Sequence, residues 1–172
     1  MNVLTLFFLL LPQPVPAERV LEVARATIKA SGFCFLITVD QESQAQARLM
    51  DPFTPEDDMT VWMGTNRHTR KVQQIHRNAR VTLACSDQKG QGYVTLLGRA
   101  RVVEDLEERK KRWRKEWAGF YPGGPEGETY VLIEFIPAQI EVMSIQHKIA
   151  SEPLAWKPAI LVKKGVNWDL MP

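Results

Sequence analysis

Three cationic side chains lie at or just before the start of a short predicted helix, where positive charge is unfavourable. Arg67, Arg70 and Lys71 follow a predicted strand and precede or enter the first helical turn. The free amide groups at a helix start already carry about half a positive charge, so each added cation costs roughly 0.3–1 kcal/mol. A bound anion would reverse the sign of this interaction.

The neighbouring hydroxyl groups favour a phosphate as that anion. Thr65 and Thr69 lie among the cations, and helix amides, hydroxyls and cationic side chains together bind phosphate without a glycine-rich loop. The two usual nucleotide loops, GxGxxG and GxxxxGK followed by Ser or Thr, are absent from the sequence. The alternative is a solvated basic face whose side chains bend away from the helix start, and spacing alone does not separate the two.

The cysteines and histidines, which often act as metal ligands or in catalysis, do not cluster in the sequence. Cys34 and Cys85 lie singly in apolar runs, without the spacing of a zinc site or a disulfide framework, so we interpret both as buried, inert thiols. No histidine is paired with a nucleophile at a readable spacing, which gives hydrolytic catalysis little support. We therefore expect no metal site, and we assign no catalytic residue.

Composition excludes several classes of protein. The 172 residues, 45% apolar and 24% charged, are typical of one globular domain. A formal net charge of +2 does not favour a nucleic-acid partner or a membrane surface. The basic run at residues 110–115 is interpreted as the wet side of an amphipathic helix, with Trp113 and Trp117 packed in the core or in a dimer interface.

The first seventeen residues differ from the rest of the chain. Residues 3–11 form an apolar run that is followed by prolines and the small residue Ala17, as at a secretory cleavage site. No Lys or Arg precedes the run, and it is too short to span a bilayer as a helix. We expect residues 1–17 to form an uncleaved hydrophobic arm of a cytoplasmic protein, with export as the alternative. Residues 18–172 are expected to form a single domain with a C-terminal tail.

The remaining pattern predicts short strands with few helices. Helical spacing covers residues 16–30 and 105–118, and a short helix follows the strand that ends near Gly64. Strands are predicted at residues 33–39, 47–50, 59–64, 80–86, 93–103, 130–136 and 139–144. Strands at this close spacing predict an α+β, mainly β fold in which an antiparallel sheet closes into a small barrel.

The ordered set of motifs resembles a known family. The segments TNRHTRKVQQIHRNARVTLACSD and YVTLLGRARVVEDLEERKKRW, with ARLM before them and WRKEW and FYPGGP after them, carry the resemblance. They resemble the flavin mononucleotide (FMN)-binding split barrels related to pyridoxamine 5'-phosphate oxidase, in the general stress protein branch. The resemblance covers about residues 18–144. It implies an antiparallel split β-barrel with peripheral helices, and a homodimer with FMN in a cleft between the subunits.

The resemblance also assigns residues to the cofactor. Thr65, Arg70 and Lys71 would hold the FMN phosphate, which is the role that the charge pattern indicates independently. The segment Arg48, Leu49 and Met50 would line the isoalloxazine, with Arg48 or nearby backbone groups at its polar edge.

The chain departs from the family pattern at several positions. Tyr93 stands where pyridoxamine phosphate oxidases have a glutamine, and the tail from Asn167 lacks their C-terminal arginine, so oxidation of vitamin B6 is not expected. Met143 stands where the stress branch has a tryptophan close to the flavin.

These observations together predict an FMN-dependent oxidoreductase that acts on a small molecule, which the sequence does not identify. One alternative is a flavin-binding module without turnover, which serves as a carrier, buffer or sensor in the stress response. Another is a split barrel that binds a different cofactor, such as a deazaflavin or haem. A third is a dimeric scaffold that has lost its cofactor.

Overall fold

The computed structural model describes residues 15–150 and 156–171. The helices within these ranges are α1 (Ala17–Ser31), α2 (Arg70–Arg77) and α3 (Leu106–Lys111), and two short 3₁₀ helices cover Lys115–Gly119 and Gly124–Glu126. The strands are β1 (Cys34–Val39), β2 (Ala45–Met50), β3 (Val61–Asn66), β4 (Arg80–Asp87), β5 (Gly92–Val103), β6 (Tyr130–Ser144), β7 (Ala159–Lys164) and β8 (Asn167–Leu170).

The strands form one antiparallel sheet that closes on itself. The strand order is β2-β1-β4-β5-β6-β7-β8, and β3 pairs with β6. An isolated bridge between Pro52 and Met63 joins the end of β2 to β3, where the Phe53 amide donates to the Trp62 carbonyl at 2.8 Å. Strands β1–β6 therefore enclose a barrel. This confirms the predicted α+β, mainly β split barrel with peripheral helices.

β6 links the two parts of the sheet. One edge of its 15 residues pairs with β5, and the other edge pairs first with β3 and then with β7. The sequence predicts two strands here, whereas the structure has one strand whose register against β5 shifts near Gly98 and Pro137. A Cβ at Gly98 would lie 2.2 Å from the Ile136 carbonyl oxygen, so only glycine fits this close approach.

α1 packs one helical face against the barrel. The buried residues of that face recur at helical spacing and are Val20, Val23, Ala24, Thr27 and Ile28. Gly32 ends the helix with φ +65°, a backbone conformation that favours glycine. The apolar face joins the inward residues of the strands in one core, as the period of the sequence predicts.

The predicted helix at residues 105–118 is shorter in the structure. α3 ends at Lys111, because the next side chain, Arg112, turns into the protein instead of continuing the helical face. The Arg112 guanidinium lies 3.7 Å from the centre of the Trp62 ring and pairs with Glu56 at 2.6 Å and with Glu108.

Trp113 and Trp117 pack in a second, aromatic core, as predicted, but not on one helical face. The Trp113 ring meets Tyr130 edge-on at 5.1 Å, and Trp117 lies 6.1 Å from the same ring. Tyr130 is fully buried, and its hydroxyl donates to the Arg112 carbonyl at 2.6 Å. The segment after α3 is therefore held against the barrel by aromatic contacts.

Cys34 and Cys85 form a disulfide, so their interpretation as inert thiols is wrong. β1 pairs with β4 in a register that places the two residues directly opposite each other, with their Cα atoms 4.5 Å apart. The bond closes a loop with a sequence separation of 51. The pairing strands are not neighbours in the chain, so the spacing of the cysteines carries no sign of their contact.

The C-terminal tail adds a hairpin that the sequence pattern does not predict. β7 pairs with β6, β8 pairs with β7, and Trp168 packs into the main core. Most of the expected N-terminal arm lies outside the described residues, although Val15 packs against the core. In the described part of the chain, no helix combines the length and the apolar character that crossing a membrane requires.

Candidate functional site

A cleft of about 580 Å³ opens where β2 and β3 end and α2 begins. Leu49 and Met50 reach it from β2, Thr65 from β3 and Lys71 from the first turn of α2. The closed barrel brings these elements together, because the bridge after β2 holds the end of that strand against β3. The volume lies within the range of about 300–1,000 Å³ that is typical of small-molecule sites.

Lys71 and Thr65 form a polar end of this cleft. The Lys71 Nζ donates to the Thr65 Oγ1 at 2.9 Å. Thr65 is buried, since it points to the inner face of β3 in the alternation of that strand. Burial lowers the pKa of Lys71, and the positive charge of Arg48 lowers it further. The ammonium group is thus held in a setting that disfavours its charge unless an anion is present.

Two arginines extend this positive charge. Burial lowers the pKa of Arg48, and the charge of Arg70 adds to the effect. The Arg48 guanidinium donates to the Thr38 Oγ1 at 2.5 Å, to the Gln46 carbonyl at 2.7 Å and to the Gln74 Oε1 at 2.9 Å. We call Arg48, Arg70 and Lys71 the cation group. Within residues 15–150 and 156–171, no carboxylate forms an ion pair with any member of this group.

The start of α2 reinforces the cation group. The helix begins after Thr69 without a side-chain cap, and its first turn contains no acidic residue. The Thr69 hydroxyl donates to the Asn66 carbonyl at 2.8 Å, which fixes the turn between β3 and α2. Arg67, by contrast, pairs with Glu104 at 2.5 Å. Its charge is compensated, so Arg67 does not belong to the cation group.

Aromatic residues from the segment after α3 also line the cleft. Trp117, Phe120 and Tyr121, which we call the aromatic wall, all contribute to its lining. Arg114 fixes the wall, because its guanidinium pairs with Asp51 at 2.5 Å and lies 4.9 Å from the centre of the Trp117 ring. Burial raises the pKa of Tyr121, so its hydroxyl stays protonated at neutral pH.

The aromatic wall was not assigned to the site by sequence reasoning. The sequence predicts Trp117 as a packing residue, and it does pack in the aromatic core while also lining the cleft. A Cβ at Gly64 would lie 2.5 Å from the Trp117 ring, so the strand and the ring are in close contact. The FYPGGP motif marks this segment. Its spacing gives no signal that would bring it to β3.

Four of the six residues predicted to bind the cofactor line the cleft, namely Leu49, Met50, Thr65 and Lys71. Arg48 and the exposed Arg70 are not among the lining residues, but Arg48 is near enough to Arg70 and to Lys71 for their charges to interact. The family resemblance implies that Arg48 or nearby backbone groups face the polar edge of a flavin ring. The structure places its guanidinium in the cation group.

Met143 and Tyr93, which depart from the family pattern, do not line this cleft. They lie directly opposite each other on β6 and β5. Met143 contributes instead to a separate groove of about 430 Å³, which Ile145 and Trp156 also line.

The chain is similar in sequence and in fold to proteins described as general stress protein 26 or as related to it. The chain is 24% identical to General stress protein 26 of Bacillus subtilis (strain 168) over 111 residues, which cover 63% of this chain and 77% of that protein. A Clostridium acetobutylicum protein, described as related to general stress protein 26, has a similar fold with a TM-score of 0.72 at 15% identity, over 89% of this chain and 100% of that one.

A Nostoc punctiforme protein also has this fold. It is described as pyridoxamine 5'-phosphate oxidase-related and FMN binding, and it matches with a TM-score of 0.63 at 12% identity, over 93% of this chain and 98% of that one. The family model described as pyridoxamine 5'-phosphate oxidase like matches residues 20–164. Since this match spans most of the sequence, the chain belongs to the pyridoxamine 5'-phosphate oxidase like family.

Proposed function

We propose that the chain binds FMN in the cleft and acts as a flavin-dependent oxidoreductase on a small molecule. The observation that carries the proposal is the cation group, in which Arg70 and Lys71 lie at the start of α2 and Arg48 lies on β2. No member of the group has a carboxylate partner among the described residues. A phosphate would compensate these charges. The Nostoc punctiforme protein of the same fold is described as FMN binding, which supports a flavin as the bearer of that phosphate.

The polar end of the cleft fits the phosphate of FMN. Lys71 and Arg70 supply charge, while the hydroxyl of Thr65 supplies a further polar partner next to Lys71. We assign Arg48 to the same end because its guanidinium lies in the cation group. Each hydrogen bond between a cation and a phosphate contributes roughly 1.5–3 kcal/mol, so loss of one such contact weakens binding by about ten- to a hundredfold.

The rest of the cleft fits a flat, largely apolar ring. Leu49 and Met50 line it from β2, and the aromatic wall lines it from the segment after α3. Leu49 is 55% exposed in the single chain, a large apolar side chain that a ligand or a second subunit would cover. Aromatic and aliphatic side chains of this kind are typical partners of planar cofactor rings.

FMN would supply the electron-transfer chemistry, and the protein would supply binding, orientation and a dry environment. The aromatic wall would exclude water from one side of the ring. The Asp51 carboxylate is held in an ion pair with Arg114, and burial raises the pKa of Tyr121, whose hydroxyl is protonated at neutral pH. We assign no catalytic residue to the chain.

We also propose that two chains assemble with the cleft at their interface. Phe35 and Leu49 lie directly opposite each other on β1 and β2, and both point to the outside of the barrel. Phe33, which also lines the cleft, is 57% exposed. Exposed apolar side chains that cluster in this way are typical of protein–protein contacts. A partner seated on them would also cover the cleft.

The first experiment is the visible absorption spectrum of the protein purified without added cofactor. The measurement is then repeated after incubation with excess FMN and removal of unbound ligand. A flavin spectrum with about one FMN per chain supports the proposal. A colourless protein that also fails to retain added FMN would overturn it.

A second experiment tests turnover. NADH or NADPH is added anaerobically to the FMN-loaded protein, and bleaching of the flavin is followed. Reduction by a nicotinamide, with reoxidation that depends on an added acceptor, supports an oxidoreductase. Bound flavin that neither nicotinamide reduces, and whose reoxidation is independent of acceptors, would indicate a binding module without turnover.

A further inference from the structure

We infer that Gln74 and Thr38 form a neutral clamp that positions Arg48 for the phosphate, and that this clamp makes the cleft prefer a phosphorylated flavin over an unphosphorylated one. The inference rests on the proposed function, because it concerns how the same cleft holds its ligand. It assigns a role to two buried polar residues that do not themselves line the cleft.

The neutral clamp is buried and internally bonded. Gln74 on α2 is 5% exposed, and Thr38 on β1 is 1% exposed. The Thr38 hydroxyl donates to the Gln74 Oε1 at 2.6 Å. Buried polar groups in the core need such partners, since an unpaired one costs about 1–3 kcal/mol.

Arg48 completes the network. Its Nη2 donates to the Gln74 Oε1 at 2.9 Å, and its Nη1 donates to the Thr38 Oγ1 at 2.5 Å. The Gln46 carbonyl accepts a third hydrogen bond at 2.7 Å. The guanidinium is thus held by groups from β1, β2 and α2, which fixes its place next to Lys71 and Arg70.

Neither side chain of the clamp, Gln74 or Thr38, carries a charge. A buried carboxylate in place of Gln74 would pair with Arg48 and neutralise it. An amide and a hydroxyl fix the guanidinium through the same kind of hydrogen bond, but they leave its positive charge available. Burial and the charge of Arg70 already lower the pKa of Arg48, so the charged form is disfavoured until an anion compensates it. Only the phosphate of FMN supplies that anion, and riboflavin does not.

Gln74→Glu tests the clamp, because glutamate has the shape of glutamine and adds one negative charge. We expect the affinity for FMN to fall by about tenfold or more, while the affinity for riboflavin changes by less than about twofold. We also expect the melting temperature of the flavin-free protein not to fall, because the new carboxylate pairs with Arg48. A merely structural role would instead lower the melting temperature and weaken both ligands equally.

Gln73→Glu is the matched control. Gln73 is the preceding residue of α2 and is exposed, so the substitution adds the same charge to the same helix without entering the clamp. Its FMN affinity should stay close to that of the natural protein. Thr38→Val provides a second variant of nearly unchanged shape, which removes one acceptor of Arg48. It should reduce the preference for FMN over riboflavin less strongly than Gln74→Glu does.

Titrations of FMN and riboflavin, followed by quenching of flavin fluorescence, give the affinities of all four proteins. If the natural protein prefers FMN and Gln74→Glu retains the full preference, the clamp inference is wrong while the FMN site stands. If the natural protein binds FMN no better than riboflavin, the phosphate site of the proposed function is wrong, and the clamp with it.

Discussion

Replacing Lys71 with methionine separates the charge of this residue from its packing. Methionine keeps a flexible apolar stem of similar length and removes the ammonium group that donates to Thr65 at 2.9 Å. The lost hydrogen bond to a phosphate should weaken FMN binding by roughly 1.5–3 kcal/mol, which corresponds to about ten- to a hundredfold in Kd. Riboflavin, which has no phosphate, should bind the variant as well as it binds the natural protein.

The effect on the stability of the flavin-free protein should be small, because two contributions oppose each other. Loss of the hydrogen bond leaves the buried Thr65 hydroxyl with one partner fewer, at a cost of about 1 kcal/mol. Removal of a half-buried cation next to Arg48 is favourable, since burial and that charge lower the pKa of Lys71. The free energy of unfolding should therefore change by no more than about 1 kcal/mol, much less than the change in FMN binding.

The lowered pKa of Lys71 makes the stability of the folded protein depend on pH. The folded protein disfavours the protonated Lys71, so stability is lower while this amine is charged and rises as the pH increases from the lowered pKa toward the ordinary value of 10.5. The Lys71→Met protein should lack this part of the pH dependence.

The assay is a flavin titration of Lys71→Met, with Lys29→Met as the control. Lys29 is an exposed lysine near the end of α1, so its replacement removes the same charge away from the cleft. Urea unfolding of each flavin-free protein provides the stability. The reasoning is refuted if Lys71→Met binds FMN within about twofold of the control, or if riboflavin binding falls as much as FMN binding.

Three further predictions concern other parts of the structure. Reduction of the disulfide, or its removal by the double variant Cys34→Ala and Cys85→Ala, should lower the free energy of unfolding by about 2–4 kcal/mol; urea curves that coincide with and without reductant would contradict this. Leu49→Asp should shift the proposed dimer to monomers, which sedimentation analysis measures, whereas Val166→Asp, at an exposed position in the turn between β7 and β8, should not; an unchanged sedimentation coefficient for Leu49→Asp would exclude this face as the interface. Trp117→Phe should reduce the quenching of protein fluorescence on FMN binding, because this ring lines the cleft; quenching equal to that of the natural protein would place the flavin elsewhere.

Local sequence patterns predict those strands whose apolar residues are clearly bounded by turn residues. The strands β1, β4 and β5 agree with the predicted segments within a few residues, since their apolar residues alternate or run continuously between turn residues. The clustering of positive charge at the start of α2 was also predictable. A cation at a helix start is unfavourable by itself, so Arg70 and Lys71 carry a physical signal that needs no tertiary structure.

The features that the sequence does not predict depend on contacts between segments that are distant in the chain. The disulfide requires that β1 lie next to β4, and no local pattern states which strands pair. The aromatic wall requires that the helix after Asp105 stop early. It stops because the Arg112 side chain packs on Trp62 of β3 and pairs with Glu56 in the loop before β3. The clamp likewise depends on the register that places Arg48 opposite Leu36 and near Thr38.

The position of β6 has a consequence for how the protein folds as it is synthesised. β3 emerges from the ribosome long before its partner, because Val61 pairs with Phe135 and Asn66 with Tyr130. Until β6 follows, β3 and the long strand β5 each have an edge without its final partner, and such edges bind other strands. The barrel can therefore close only when most of the chain has been made. Association between nascent chains competes with folding throughout that interval.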